Sequence, residues 1–242
     1  MEQLSRRTHQ MVRNSPFLDQ ATRSGWGAVQ KLLQPRKLRT YLASTDRMRV
    51  MIGAGPSKQH GWLPTDLTPS RPDVMFLDAR KKLPFQDACV DLIHTEHMIE
   101  HIDFDDGQRF LAECARILKP GGRIRISTPD FDRVLALAQH PDPRVGSLIR
   151  AANARNQVDP EKLDDPIFAV NRLFSGHGHR FLYSVRMLKE CLLSAGLQDV
   201  RRQEVGESEE PDLRGLEQHD QRVGAEWNSY HSLIVEAVKP QT

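Results

Sequence analysis

Apolar positions follow two rhythms along the chain. Up to about residue 45 they recur at helical intervals, as Trp26, Val29, Leu32 and Leu33 in "GWGAVQKLLQ" and then in "KLRTYLAST" after Pro35. From residue 49 short apolar runs take over. "RVMIGAGP" closes on glycines, "GWLPTDL" and "DVMFLDAR" each close on an aspartate, and "CVDLIHTEH" is a fourth run. "FDDGQRFLAECARILKPGG" returns to helical spacing, with Phe110, Leu111, Cys114, Ile117 and Leu118 on one face. Asp105 or Asp106 can cap its start, and Pro120-Gly121-Gly122 stops it. "RIRISTPD" follows as a fifth strand. Short buried strands alternating with connections and helices predict a parallel sheet of βαβ units.

Beyond that sheet, residues 131–184 read as helices broken by proline and glycine, with "NRLFSGHGHRFLYS" the least regular part. "SVRMLKECLLSAGL" predicts an amphipathic helix ending at Gly196. "QDVRRQEVG" and "SYHSLIVEAVK" predict a last antiparallel pair at one sheet edge, with the long polar loop "ESEEPDLRGLEQHDQRVGAEWN" between them. The expected organisation is a helical N-terminal extension (1–46) and an α/β domain (47–240), whose helical insertion (131–184) serves as a lid.

Composition narrows the function classes. The 242 residues suit one α/β domain with additions. No apolar run approaches the ~18 residues of a membrane span, and no apolar stretch backs the basic N-terminus as a secretory signal requires. Cys89, Cys114 and Cys191 are odd in number, widely spaced and set among apolar residues, so free thiols in a reducing compartment, the cytoplasm, are expected. The net charge of +2 conceals an uneven distribution: residues 1–50 hold ten Lys/Arg against three acidic residues. Such a segment suits phosphates, an acidic partner or an acidic membrane surface, although a solvated helical face is its more ordinary use.

Candidate chemistry lies at the strand ends. Gly53-Ala54-Gly55 follows the first strand, where glycines let backbone amides approach a ligand closely. Asp66 closes the second strand and Asp78 the third. A carboxylate at the second can accept both hydroxyls of a ribose, and one at the third can take an adenine amino group. Each alone is an ordinary turn former; in succession they point to a nucleoside site off the carboxyl ends of the strands.

"LPFQDACVDLIHTEHMIEHI" and "FLAECARILKPGGRIRISTPD" resemble the class I S-adenosylmethionine-dependent methyltransferases of the type 11 kind, over roughly residues 49–130 and more weakly over 177–240. The resemblance implies a Rossmann-like parallel sheet with an antiparallel edge strand, S-adenosylmethionine as cofactor, and methyl transfer to an O or N nucleophile. "GWLPTD", "LDARKKLPF" and "EHMIEH" resemble a subgroup associated with saccharide pathways, which implies a small or saccharide-like acceptor. Carried over by position, Gly53, Ala54 and Gly55 would approach the cofactor's amino-acid end and Asp66 its ribose. Asp78 and Ala79 would face the adenine, and the segment containing Thr95, Glu96 and His97 would lie beside the sulfonium and substrate. Two features depart from the pattern. Met51 stands where family members carry an acidic residue for the cofactor's ammonium group. The crossover from Gly55 to Trp62 is too short for the ~10–12 residues of a helical connection, so the first helix is expected to be a turn or absent. A non-catalytic module that keeps the fold is the alternative those departures suggest.

The block "HTEHMIEHI" admits other readings. His97-Met98-Ile99-Glu100-His101 fits the H-x-x-E-H spacing of one class of zinc peptidases, but that motif belongs inside a helix and this block begins as a strand. Ubiquinone-pathway O-methyltransferases, which the region also resembles, carry E-x-x-E-H here, implying a divalent metal on His97, Glu100 and His101. Local pairing of Glu100 with packing of His101 is the plainer use of the same residues. In "SGHGHRFLYS", His177, Arg180 and Tyr183 are candidate substrate contacts on a glycine-rich loop, and His179 or His97 is a candidate proton acceptor.

Overall fold

A computed structural model describes residues 34–139 and 145–241. The helix expected around Trp26 to Leu33 lies outside the described residues, as does most of the basic extension; residues 34–42 are helical (α1). Seven strands follow: β1 (Arg49–Ile52), β2 (Leu63–Asp66), β3 (Met75–Phe76), β4 (Val90–Glu96), β5 (Leu118–Pro129), β6 (Gln198–Gln203) and β7 (Ser232–Val238). They form one sheet in the order β3-β2-β1-β4-β5-β7-β6. The first five run parallel, and β7 is antiparallel to both β5 and β6. This is the Rossmann-like arrangement with the expected antiparallel pair at one edge. The strand order reverses between β1 and β4, which opens a crevice at their carboxyl ends.

Alternation along the strands sorts residues onto two faces. Val50, Ile52, Ile93, Ile124, Ile126, Leu233, Val235 and Ala237 join the main core. Helix α2 (Phe104–Ile117) covers that face with Phe110, Leu111, Cys114, Ala115 and Ile117, as its spacing predicts. Helix α6 (Val185–Ser194) adds Leu188, Cys191 and Leu192; Ser184 caps it by accepting the Met187 N–H at 3.1 Å. The segment after β5 forms α3 (Phe131–Gln139), α4 (Gly146–Arg155) and α5 (Pro166–Asn171), which runs into a π turn. These pack around a smaller core of their own that includes Val134, Ile149, Val170 and Trp227. The last two helices, α7 (Asp220–Val223) and α8 (Ala225–His231), precede β7.

The opposite sheet face has no first crossover helix. Between Gly55 and Trp62 the chain makes only turns, with the Ser57 N–H donating to Ala54 O and the Trp62 N–H to Gln59 O. The polar loop after β6 takes the helix's place: Leu213 and Leu216 pack on Met51, Ala54, Trp62 and Leu92. Arg47 pairs with Glu210 and Asp212, and Arg49 with Asp212, fixing one end of the loop. Arg125 of β5 fixes the other. Its guanidinium is fully buried and donates to Glu217 Oε1 at 2.6 Å, Glu236 Oε1 at 2.7 Å and Glu207 O at 2.7 Å. Burial by itself pushes the Glu217 carboxyl up, but His94 and the Arg125 guanidinium outweigh it and bring it down to about 2. Among the described residues no helix is long and apolar enough to cross a membrane.

Removing Arg125 would leave two carboxylates buried without their common partner. Arg125→Ala is therefore expected to lower the unfolding free energy by about 3–5 kcal/mol, measured by urea titration; a loss under about 1 kcal/mol would show that the loop does not depend on this residue.

Candidate active site

A cavity of about 480 Å³ lies off the carboxyl ends of β1, β2 and β4. Its floor is the turn after β1. Gly53 has φ 74°, and a Cβ there would sit 2.5 Å from Met98 Cγ, so only glycine lets this turn lie against the end of β4. The Gly53 and Ala54 N–H groups donate to Thr65 O at 3.0 and 2.9 Å, and the Gly55 N–H donates to Asp66 Oδ2 at 2.9 Å. Asp66 Oδ1 accepts the Thr68 N–H at 2.7 Å. The carboxylate is thus held in place, and with about four acceptor positions it retains capacity for a ligand. Asp78 is gripped by Arg80 at 2.8 and 2.9 Å, and those hydrogen bonds hold its carboxyl below the usual range. Gly53, Ala54, Gly55, Asp66, Asp78 and Ala79 all line this one cavity.

The roof comes from the loop leading into α7. Glu96, the last residue of β4, accepts the Gln218 N–H at 2.9 and 3.1 Å and the His219 N–H at 2.9 Å. Gln218, His219, Gln221 and Arg222 then face the cavity, with Arg222 Nη2 3.7 Å from the Cβ position of Gly55. Sequence reasoning did not find these four. Their segment has no hydrophobic period, and its one signal is a histidine among charges. Thr95 is buried, its hydroxyl has no hydrogen-bond partner, and it does not reach the cavity wall.

The H-x-x-E-H block does not lie on an α-helix, which removes the geometry a zinc peptidase needs. His97 follows β4 directly with φ 47°, and Ile99–His101 is a single 3₁₀ turn. His97 Nδ1 lies 3.0 Å from Glu100 Oε1, and Glu100 Oε2 accepts the Thr128 hydroxyl at 3.0 Å. Burial opposes the ionisation of Glu100, but the His97 contact prevails and its carboxyl is held below the usual range. The set His97, Glu100 and His101 is split between two clusters: Glu100 and His101 group with His179, and His97 groups with His219 and His231. His97 and His101 line the cavity; Glu100 lies behind it.

The second histidine motif lies outside the cavity lining. His177 is exposed, and Arg180 pairs with Asp103 at 2.6 Å. His179 Nδ1 donates to Leu173 O at 2.5 Å, and its ring stands 4.9 Å from that of His101. Tyr183, expected as a substrate contact, is wholly buried in the main core with its ring 4.8 Å from Phe181. A Cβ on Gly107 would overlap its hydroxyl, so Tyr183 packs beneath α2 instead of facing a ligand.

Comparison with known proteins finds similarity over part of the chain. Residues 24–126 match the model of a family described as "Methyltransferase domain". That segment is less than half of the chain, and over it the chain is similar to methyltransferase domains. A 49-residue stretch is 45% identical to a Mycolicibacterium smegmatis protein named "Probable S-adenosylmethionine-dependent methyltransferase", covering 20% of this chain and 18% of that one. A 63-residue stretch is 35% identical to an uncharacterised 37.1 kDa transposon protein of Streptomyces fradiae, covering 26% and 17%. The chain thus spans less than a fifth of these relatives' length. A solved S-adenosylmethionine-dependent methyltransferase from Archaeoglobus fulgidus aligns over 87% of this chain and 94% of its own, with a TM-score of 0.48 and 19% identity.

Three imidazoles meet beside the cavity: His97 and His219 line it and His231 is buried behind them. The His97 and His219 rings stack with centroids 3.8 Å apart, and His231 lies 5.6 Å from each. Burial, then the neighbouring His97 and His231, push His219 down to about 2; burial, then His97, push His231 down to about 4. Both are neutral at pH 7, and each gains a proton more readily in the unfolded chain, near 6.5. Stability is therefore fullest above 6.5 and is lost as the pH falls below it, toward 4 for His231 and toward 2 for His219. The urea midpoint is expected to drop between pH 7 and pH 5, and His219→Gln should flatten that drop; an identical pH slope in the variant would contradict the assignment.

Proposed function

We propose that this protein transfers the methyl group of S-adenosylmethionine to an O or N nucleophile on a small or saccharide-like acceptor. The observation that carries the reading is the convergence of the Gly53–Gly55 turn, Asp66 and Asp78 on one cavity at the sheet's switch point, in a chain with a methyltransferase-domain match. Those residues fit the cofactor. The turn admits an approach that a side chain would block, and two half-buried carboxylates stand where ribose hydroxyls and a nucleobase amine would bind.

When bound, the cofactor supplies an electrophilic methyl group on a sulfonium. The chain's contribution is to hold the acceptor in line with that S–C bond and to exclude water, and placement alone can account for much of the acceleration. His97 lines the cavity with Nδ1 engaged by Glu100, which leaves Nε2 as the nitrogen able to take the acceptor's proton in the metal-free protein. His179, the other candidate, lies outside the cavity lining and reaches it only through His101. The saccharide-like acceptor is supported by the "GWLPTD" and "LDARKKLPF" motifs.

One observation favours a second reading, a cofactor-binding module without turnover. Met51 is 2% exposed beneath Leu213 and Leu216, so β1 offers no carboxylate to the cofactor's ammonium group. Calorimetry separates the cases. S-adenosylhomocysteine should bind the wild type, and Asp66→Ala should weaken binding about tenfold or more through loss of charge-assisted hydrogen bonds. Absence of heat at millimolar ligand would remove both readings, whereas binding without turnover across an acceptor panel would leave the module.

A further inference from the structure

We propose that His97, His219 and His231 form a binding site for one divalent metal ion of the zinc class, at the inner wall of the cavity where β4 ends beneath α7 and α8. Their ligand nitrogens all lie within 4.8 Å of one another, although the residues come from three separate parts of the chain. Two of the three outer nitrogens are already engaged. His97 Nδ1 meets the Glu100 carboxylate at 3.0 Å, and His231 Nδ1 donates to Trp227 O at 2.6 Å. Each bond favours the tautomer with its lone pair on Nε2, which in His97 faces the Ser232 hydroxyl at 3.5 Å, a long contact that an ion would replace; a carboxylate or carbonyl behind the ring is the usual support of a metal-binding imidazole. Glu100 is itself fixed by Thr128.

The backbone points the same way. His97 is held at φ 47°, a conformation that disfavours L side chains, with its N–H donating to Ser127 O at 2.9 Å. Such strain persists where the surroundings over-determine it, and it clusters at functional positions. Three imidazole ligands suit zinc, cobalt, nickel or copper, and suit magnesium or calcium poorly. The stacked His97 and His219 rings are inclined by 26° and must splay for their nitrogens to converge on one ion. His219 is the ring able to move, because it lies half-buried in the roof beside a four-residue helix. With three protein ligands and the cavity alongside, the fourth position stays open to water or an acceptor oxygen. An ion held there would also lock the roof onto β4 and α8.

This inference is independent of methyl transfer, because it is read from metal content without cofactor. The full chain, stripped by chelator, is loaded with Zn²⁺, dialysed and assayed for metal; Co²⁺ titration reports coordination through its ligand-field absorption. One zinc per chain and a four-coordinate cobalt spectrum are expected. His219→Ala should weaken uptake by about 100-fold or more while leaving circular dichroism unchanged, Glu100→Gln by about 10- to 100-fold, and His101→Ala should have no effect. Failure of the wild type to retain metal, or equal retention by His219→Ala, would overturn the proposal. Loss in His101→Ala alone would also overturn it, by placing the ion at Glu100, His101 and His179.

Discussion

The buried guanidinium of Arg125 is the contact on which the cavity depends. An unpaired charge at that depth would be very costly, and the protein meets the cost with a carboxylate from β7, a carboxylate from the loop after β6 and two loop carbonyls. Glu217 is the second of those carboxylates, and the next residues in the chain, Gln218 and His219, place their N–H groups on Glu96. The ion cluster in the sheet therefore sets the position of the cavity roof. The same contact explains how a sheet face that lacks its first crossover helix stays covered.

That replacement changes the character of the site. A helix after β1 would point its amino end at the ligand and leave the outer side of the hollow open. Here the turn after β1 spends the Gly53 and Ala54 N–H groups on Thr65 O, and the opposite wall is made by Gln218, His219, Gln221 and Arg222. Met51 fits the same picture. It packs beneath Leu213 and Leu216 and also lines the cavity, so the loop that replaces the helix gives β1 an apolar partner at the edge of the ligand space.

Much of the sheet was legible from the chain because burial on both faces makes each parallel strand a short apolar run, and the turn residues at its end are local. Helix α2 was legible for a related reason, since its apolar stripe has the right period. The roof was not. Glu217, His219 and Arg222 read as a solvated polar loop, because a charge that is buried opposite its partner looks the same in sequence as one in water; the partner of Glu217 is Arg125, 92 residues away. Tyr183 was misplaced for the converse reason. A tyrosine on a glycine-rich stretch reads as an exposed contact, whereas its ring fills the space that Gly107 leaves under α2. The H-x-x-E-H block shows why spacing needs context: after a strand and at a left-handed residue, the same letters send His97 and His101 to different histidine clusters.

The central claim is that floor and roof enclose a single nucleoside-type ligand. Hydrogen–deuterium exchange with and without S-adenosylhomocysteine tests it most directly. Protection should appear together at residues 53–56, 66–68, 78–80 and 218–222. Unchanged exchange in all four segments at saturating ligand, or protection confined to residues outside the cavity, would contradict it.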